Sequence, residues 1–374
     1  MAYLLKTSET RVWRTYRGGA SLDRWQGRVQ KHFIAHGARL VRADGMFPED
    51  WAASTTRAVN PGREDIVEGL SRVVAGLPGL EPGQEGPLLA DVIAQDPAGF
   101  LGEAHVRRFG VQAGFLVKLI DAGERLTIQV HPDRQYAREV LNSSYGKAES
   151  WYILDNAGGK ACLYLGFKPG ITRERWKSLF EAQDIEGMLA CLHRITVRPG
   201  DSWFVAGGVP HAIGEGCFLA EVQEPTDYTM RVELVTPGGL HIDERQCHQG
   251  VGYERMLDCF HYEGHTLEET EALWKAWPRR ELESEKGASY VDALIDGRLT
   301  KLFSLRAVEV RDTLTLPSSG QMGLFITISG AGEMFCGAEH LPIRQGEVVV
   351  TGAGAPGLQV RGDLRLLWCQ GPRV

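Results

Sequence analysis

From Phe115 onward the chain is written in short runs that alternate apolar with polar or small residues. FLVKLI, LTIQVH, ESWYILD, GKACLYLG, RITVRPG and DSWFVAGG follow one another, separated by Gly, Asp and Pro turns. Strand length, period-two alternation and frequent turn residues predict a succession of short antiparallel strands. One helical patch interrupts them. Within Arg173–Leu192, Trp176, Leu179, Phe180, Ile185, Met188 and Leu189 recur at roughly helical spacing. Ahead of the strands, Gly86–Gln95 also reads as helix. Thr266–Asp292 is charged and reads as a helical or irregular connector, and from Thr300 the alternation returns.

Two pieces of this β material resemble each other. Arg198–His211 lines up without a gap on Arg344–Gly357, and Asp155-Asn-Ala-Gly158 resembles Ser329-Gly-Ala-Gly332. The economical reading is one β unit used twice, with the helical patch inserted into the first copy. Composition agrees: 45 of the 374 residues are glycine, well above the usual ~7% and without collagen-like period. Such a surplus suits many tight strand connections.

The spacing inside the repeat belongs to a known pattern. Gly200, five residues, Ala206, one residue, Gly208, two residues and His211 resemble the second motif of the cupins, with Ala206 where proline is usual. Cupins are antiparallel jelly-roll barrels. The resemblance predicts a mainly β protein of two cupin-type barrels with helical insertions. Residues 1–250 would form a metal-binding domain with the insertion near 171–194, 251–299 a connector, and 300–374 a degenerate barrel. In that second copy Gly357 stands where the first has His211, and Gly323 where it has Glu149, so no metal site is expected there. Gly352-Ala-Gly-Ala-Pro-Gly357 is formally GxGxxG after a strand, but Pro356 and the few residues remaining leave no room for the helix and strand of a dinucleotide fold.

Chemistry concentrates in the first copy. In Leu126–His131, alternation puts Leu126, Ile128 and Val130 on one face and Thr127, Gln129 and His131 on the other. A core-facing imidazole and amide need specific partners, and a metal ion satisfies both. Glu149 opens the next strand and His211 ends the cupin turn. Two neutral imidazoles, a carboxylate and an amide oxygen make a mixed set suited to zinc or another first-row divalent ion.

At these residues the sequence resembles type I mannose-6-phosphate isomerase, the shorter bacterial form. The resemblance rests on Ile128-Gln-Val-His-Pro-Asp133 with Tyr136-Ala137, then Gly146-Lys-Ala-Glu149 leading into Trp151-Tyr-Ile153. It continues in His211-Ala-Ile-Gly-Glu-Gly216, and in Glu221-Val-Gln223 running through Asp227 to Arg231-Val232. It implies that Gln129, His131, Glu149 and His211 hold one zinc ion per chain. Arg231 falls on the family's active-site arginine and Lys147 on the lysine of its Gly-Lys-x-Glu run. The implied reaction interconverts mannose 6-phosphate and fructose 6-phosphate through a cis-enediolate. Arg231 suits the enediolate charge, while Lys147, a metal-bound water or Glu215 remain open as the proton-transfer group. The chain also departs from the family pattern. Glu49-Asp-Trp51-Ala-Ala-Ser54 stands where Glu-x-Trp-Glu-x-Ser is usual, Ser150 replaces a common cysteine, and Glu233–Gly250 holds no lysine to match a phosphate contact.

The alternative is a cupin that holds a metal and a sugar phosphate without turning it over; a cupin oxygenase would need redox-active iron. Arg231 with Lys147 favours the isomerase. A net charge of −7 argues against nucleic acid, and no apolar stretch suggests a membrane. Seven scattered cysteines without a CxxC, and no signal-like N-terminus, predict a reduced cytoplasmic protein whose partner is a small hexose phosphate.

Overall fold

The computed structural model describes residues 3–27, 45–60, 62, 63 and 65–374, together with the backbone of the hairpin strands Phe33–His36 and Arg39–Arg42. The predicted strands pair into antiparallel sheets. A seven-stranded sheet runs Lys275–Ala276, Ser202–Val205, Glu149–Asp155, Phe218–Gln223, Leu116–Asp121, Glu49–Ala52, Arg11–Val12. A five-stranded sheet runs Leu192–Thr196, Cys162–Phe167, His211–Ile213, Gln129–Val130, Met230–Arg231. The two pack face to face, because alternate residues of both are apolar and inward. Ile120, Trp151, Ile153, Trp203 and Leu219 of the first sheet meet Leu163, Leu165, Ile195 and Ile213 of the second. Trp151 is 0% and Trp203 1% exposed; replacing either with alanine would cost about 3–5 kcal/mol.

The opposite face of the seven-stranded sheet is equally apolar. Ala52, Val117, Leu119, Tyr152, Phe204, Ala220 and Val222 pack against Leu324, Ile326, Val348, Val350 and Leu367 of a nine-stranded sheet. That sheet carries the long strands Ser304–Pro317, Gly323–Cys336 and Gly357–Gln370, and its far side closes over a second apolar core. Strands that read as near-continuous apolar runs are therefore covered on both faces.

The repeat seen in the sequence falls on equivalent strand pairs. Glu149–Asp155 pairs with Ser202–Val205 so that Glu149 faces Val205 and Tyr152 faces Ser202. Gly323–Cys336 pairs with Val348–Thr351 so that Gly323 faces Thr351 and Ile326 faces Val348. These are the positions that the sequence alignment equates. The first hundred residues serve both layers. Leu4–Thr7 and Val73–Ala75 join the nine-stranded sheet, whereas Arg11–Val12 and Glu49–Ala52 join the seven-stranded one.

Two segments differ from their sequence reading. The helical patch is two helices, Arg173–Glu181 and Ile185–Ala190, capped by Thr172 and Asp184 and separated at Gln183, whose φ is +49°. The charged connector begins as the helix Leu267–Trp274 with a Thr266/Glu269 capping box, then turns into the strands Arg279–Glu283 and Tyr290–Ile295 at the rim of the nine-stranded sheet. Its charges guard an edge strand. Arg280 reaches Asp292 at 2.6 Å and Arg279 reaches Asp296 at 3.1 Å. Among the described residues no helix is long and apolar enough to cross a membrane.

Candidate metal centre

The sheet register assembles the site. Gln129 lies opposite His211 on one side and Arg231 on the other, so the three form a row across the five-stranded sheet. Glu149 comes from the facing sheet, at the first residue of its strand. The LTIQVH run forms only a two-residue strand, Gln129–Val130, yet His131 just beyond it keeps the inward phase. The Ala206–Pro210 turn delivers His211. A Cβ on Gly207 would lie 2.5 Å from the Asp133 backbone, and one on Gly208, at φ +85°, would lie 2.4 Å from the His261 ring. Both positions need glycine.

His131, Glu149 and His211 offer donor atoms that all lie within 4.8 Å of one another. His131 Nε2 is 3.1 Å and His211 Nε2 3.3 Å from the two Glu149 oxygens. His131 Nδ1–H donates to the Tyr228 carbonyl at 2.8 Å, and His211 Nδ1–H to the Val209 carbonyl at 2.9 Å. These bonds fix the tautomer in which each Nε2 lone pair faces the cluster, the arrangement typical of metal-binding imidazoles. Burial, with Lys147 adding to it, pushes the His131 pKa down to about 3, and burial also lowers that of His211, so both rings stay neutral. Burial alone would raise Glu149, but Lys147 and the two imidazoles outweigh it and hold the carboxyl well below its usual range. Among the described residues no hydrogen-bond donor reaches buried Glu149 Oε1. The Gln129 amide lies 3.3 Å from His211 Nε2, and a half-turn of that amide presents its oxygen instead. An orphaned carboxylate oxygen and two aimed lone pairs fit a divalent cation, with Gln129 at the margin of the set.

Lys147 lies outside the Glu149 strand. It precedes the strand, and its backbone N–H donates to the Pro132 carbonyl. Its Nζ nevertheless reaches Glu149 Oε2 at 2.8 Å and His131 Nε2 at 2.7 Å. Beside it opens a cavity of about 50 Å³ lined by Gln129, Lys147, Arg231 and a charged group that sequence reasoning missed: Arg14, Glu49, Lys118, Glu221 and Asp227. Lys118, Glu221 and Trp151 stand side by side on adjacent strands, with Trp51 beyond Lys118. Lys118 Nζ lies 3.4 Å from Glu221, 3.6 Å from Asp227 and 4.0 Å from Glu49. Arg14 bridges Glu49 at 2.9 Å and Asp227 at 3.1 Å. The two inward carboxylates diverge. Burial, then the Glu149 charge, raise Glu221 to about 7; in Glu49 burial is outweighed by Arg14 and Lys118, which bring it down to about 2. The signal was a charge at an inward position of an otherwise apolar run, Lys118 in FLVKLI and Glu221 in FLAEVQ. Glu215 is exposed on the turn after the His211 strand and does not line this cavity. Arg231 sits at the wall, its Nη1 donating to the Gln246 carbonyl at 3.0 Å.

Residues 80–165 match the family description "Phosphomannose isomerase type I, catalytic domain". The probable mannose-6-phosphate isomerase GmuF of Bacillus subtilis strain 168 is 37% identical over 153 residues, 40% of this chain and 45% of that protein. ManA of the same organism is 35% identical over 35% of this chain and 42% of its own length, so the matched stretch spans less than half of either relative. In fold the likeness extends along the whole chain. The crystal structure of the Bacillus subtilis mannose 6-phosphate isomerase superposes with a TM-score of 0.72 at 20% identity, covering 98% of this chain and 99% of that one. Residues 80–165 thus resemble the type I phosphomannose isomerase catalytic domain, and the fold of the whole chain resembles that of the Bacillus subtilis enzyme.

Proposed function

We propose that the protein interconverts mannose 6-phosphate and fructose 6-phosphate, with Gln129, His131, Glu149 and His211 holding one zinc ion. The observation that carries this reading is the pair of Nδ1–H bonds to Tyr228 and Val209, which turn two imidazole lone pairs into the cluster where one Glu149 oxygen is unpartnered, beside a cavity that several cations line. Held by those residues, a divalent ion would supply Lewis-acid polarisation of the substrate carbonyl. The chain's own residues supply the rest. Arg231, permanently cationic, faces the cavity and offsets the negative charge that develops as C2 loses its proton. Lys147 stands within reach of whatever oxygen approaches His131 and Glu149. Glu221, with a pKa near neutrality, can exchange a proton at working pH where Glu49 cannot. The Trp51 and Trp151 indoles donate to Glu49 and Glu221 at 2.8 and 3.0 Å and hold those carboxylates in place.

In this reading residues 1–250 form the catalytic domain, 251–299 the connector and 300–374 a barrel without a metal. The seven cysteines are buried and unpaired, which fits a reducing cytoplasm. A coupled assay of fructose 6-phosphate formation, run beside metal analysis, tests the function. Turnover that tracks zinc content is the expected result. Sugar-phosphate binding without turnover would instead make the protein a non-catalytic cupin.

A further inference from the structure

One buried carboxylate belongs neither to the donor cluster nor to the wall of the cavity beside it. Glu224, just past the strand Phe218–Gln223, is 1% exposed. A carboxylate in the interior is costly unless its oxygens are bonded, and here both are. Oε2 accepts the Ala148 backbone N–H at 3.1 Å, and Oε1 accepts from Arg134 Nε at 2.6 Å. The Glu224 backbone N–H in turn donates to the Ala148 carbonyl at 3.0 Å. Ala148 stands between Lys147 and Glu149, so Glu224 grips the peptide groups on both sides of it. Each peptide is a rigid plane. Turning either one would swing the Lys147 amine or the Glu149 carboxylate away from His131 Nε2, which they reach at 2.7 and 3.1 Å. The other oxygen ties in the loop that bears His131. Arg134 opens the helix Arg134–Leu141 just after that loop, and the Lys147 N–H donates to the Pro132 carbonyl within it. Neighbouring groups tighten the same stretch: Gln223 faces Glu149 across the sheet, and Thr226 Oγ1–H donates to the Gly146 carbonyl at 2.6 Å.

Resting on the metal reading above, we propose that Glu224 is a positioning residue. It sets the spacing of His131, Lys147 and Glu149 and so slows loss of the ion, while touching neither ion nor substrate. Arg134 acts one step further out, through Glu224.

The test compares Glu224→Ala, Glu224→Gln and Arg134→Gln in the full-length, zinc-loaded protein. It reads the rate of zinc release to dipicolinate beside the melting temperature of the zinc-free form. Glu224→Ala leaves the Ala148 N–H and Arg134 unpaired, and should release zinc roughly 10- to 100-fold faster, the usual cost of losing a group that orients a ligand. The amide oxygen of Glu224→Gln can still accept from Ala148, so its release should be only about 3- to 10-fold faster. Arg134→Gln, at a side chain one-third exposed, keeps the question decidable should Glu224→Ala fail to fold. The same 3- to 10-fold is expected there, the scale of one lost contact. A merely structural role would lower the zinc-free melting temperature and leave zinc release from the folded protein unchanged. Parental release rates in the folded variants would therefore overturn the proposal. Faster release in a protein without isomerase activity would sustain it and remove the isomerase reading. A parent that holds no zinc would overturn the metal reading, and this role with it.

Discussion

The two halves of the molecule build the same strand pair and spend it differently. In the first, Glu149 faces Val205 and Trp151 faces Trp203; in the second, Gly323 faces Thr351 and Phe325 faces Val349. The first pair opens on a buried carboxylate, two imidazoles and a row of charges. At the second, no group of three His, Cys, Asp or Glu side chains gathers among the described residues. A Cβ on Gly323 would lie 2.7 Å from Thr351 Oγ1 and 3.0 Å from the Trp368 indole nitrogen, and Phe325 stacks on Trp368 with centroids 5.4 Å apart. The backbone thus does not decide which strand pair carries a cluster of potential ligands. A handful of inward positions does, and polar groups at those positions carry a desolvation penalty that the apolar barrel avoids.

Stripping the metal should have the largest effect on this contrast. Dipicolinate should abolish isomerisation and zinc should restore it, since neutral imidazoles with a carboxylate suit zinc; restoration by iron(II) alone, in air-free buffer, would point to oxygen chemistry instead. Next comes Arg231→Met. Zinc content should stay unchanged while kcat falls about 10²–10³-fold, the usual loss for one transition-state charge stabiliser. A rise in KM with kcat intact would reassign Arg231 to substrate anchoring.

In the apolar half, Gly323→Ala should lower the melting temperature and leave kcat alone. Overpacking of this kind costs about 1–3 kcal/mol, and the methyl meets both Thr351 and Trp368. A neutral result would mean that the second barrel has room to spare. A further effect, confined to acid pH, is a slope in stability. Glu49 is held at about 2 against an ordinary 4.5, so the unfolded chain binds more protons between those values. Its contribution, on the order of 3 kcal/mol, is present above pH 4.5 and is lost as pH falls toward 2. Acid denaturation profiles of Glu49→Gln should therefore be flatter in that window than those of the parent. Parallel profiles would detach Glu49 from the charge network.

Much of this was legible because period-two alternation and turn spacing are local. The strand runs, the inward phase of Gln129 and His131, and the glycine-rich approach to His211 could all be read along the chain. What remained hidden depends on register between distant strands. Lys118 and Glu221 are adjacent only because Leu116–Asp121 and Phe218–Gln223 pair as they do, and Arg14 reaches them from the N-terminal segment. Lys147 contacts Glu149 by folding back from a loop rather than by strand phase. The connector misled because edge-strand charges resemble the polar face of a helix.

The central claim, that one half of a duplicated β framework holds a metal and the other does not, is tested most directly by counting zinc per chain in the purified protein and in His211→Ala. One ion per chain in the parent and close to none in the variant, with isomerase activity lost in step, is the predicted result. Two ions per chain in the parent, or an undiminished count in His211→Ala, would contradict it.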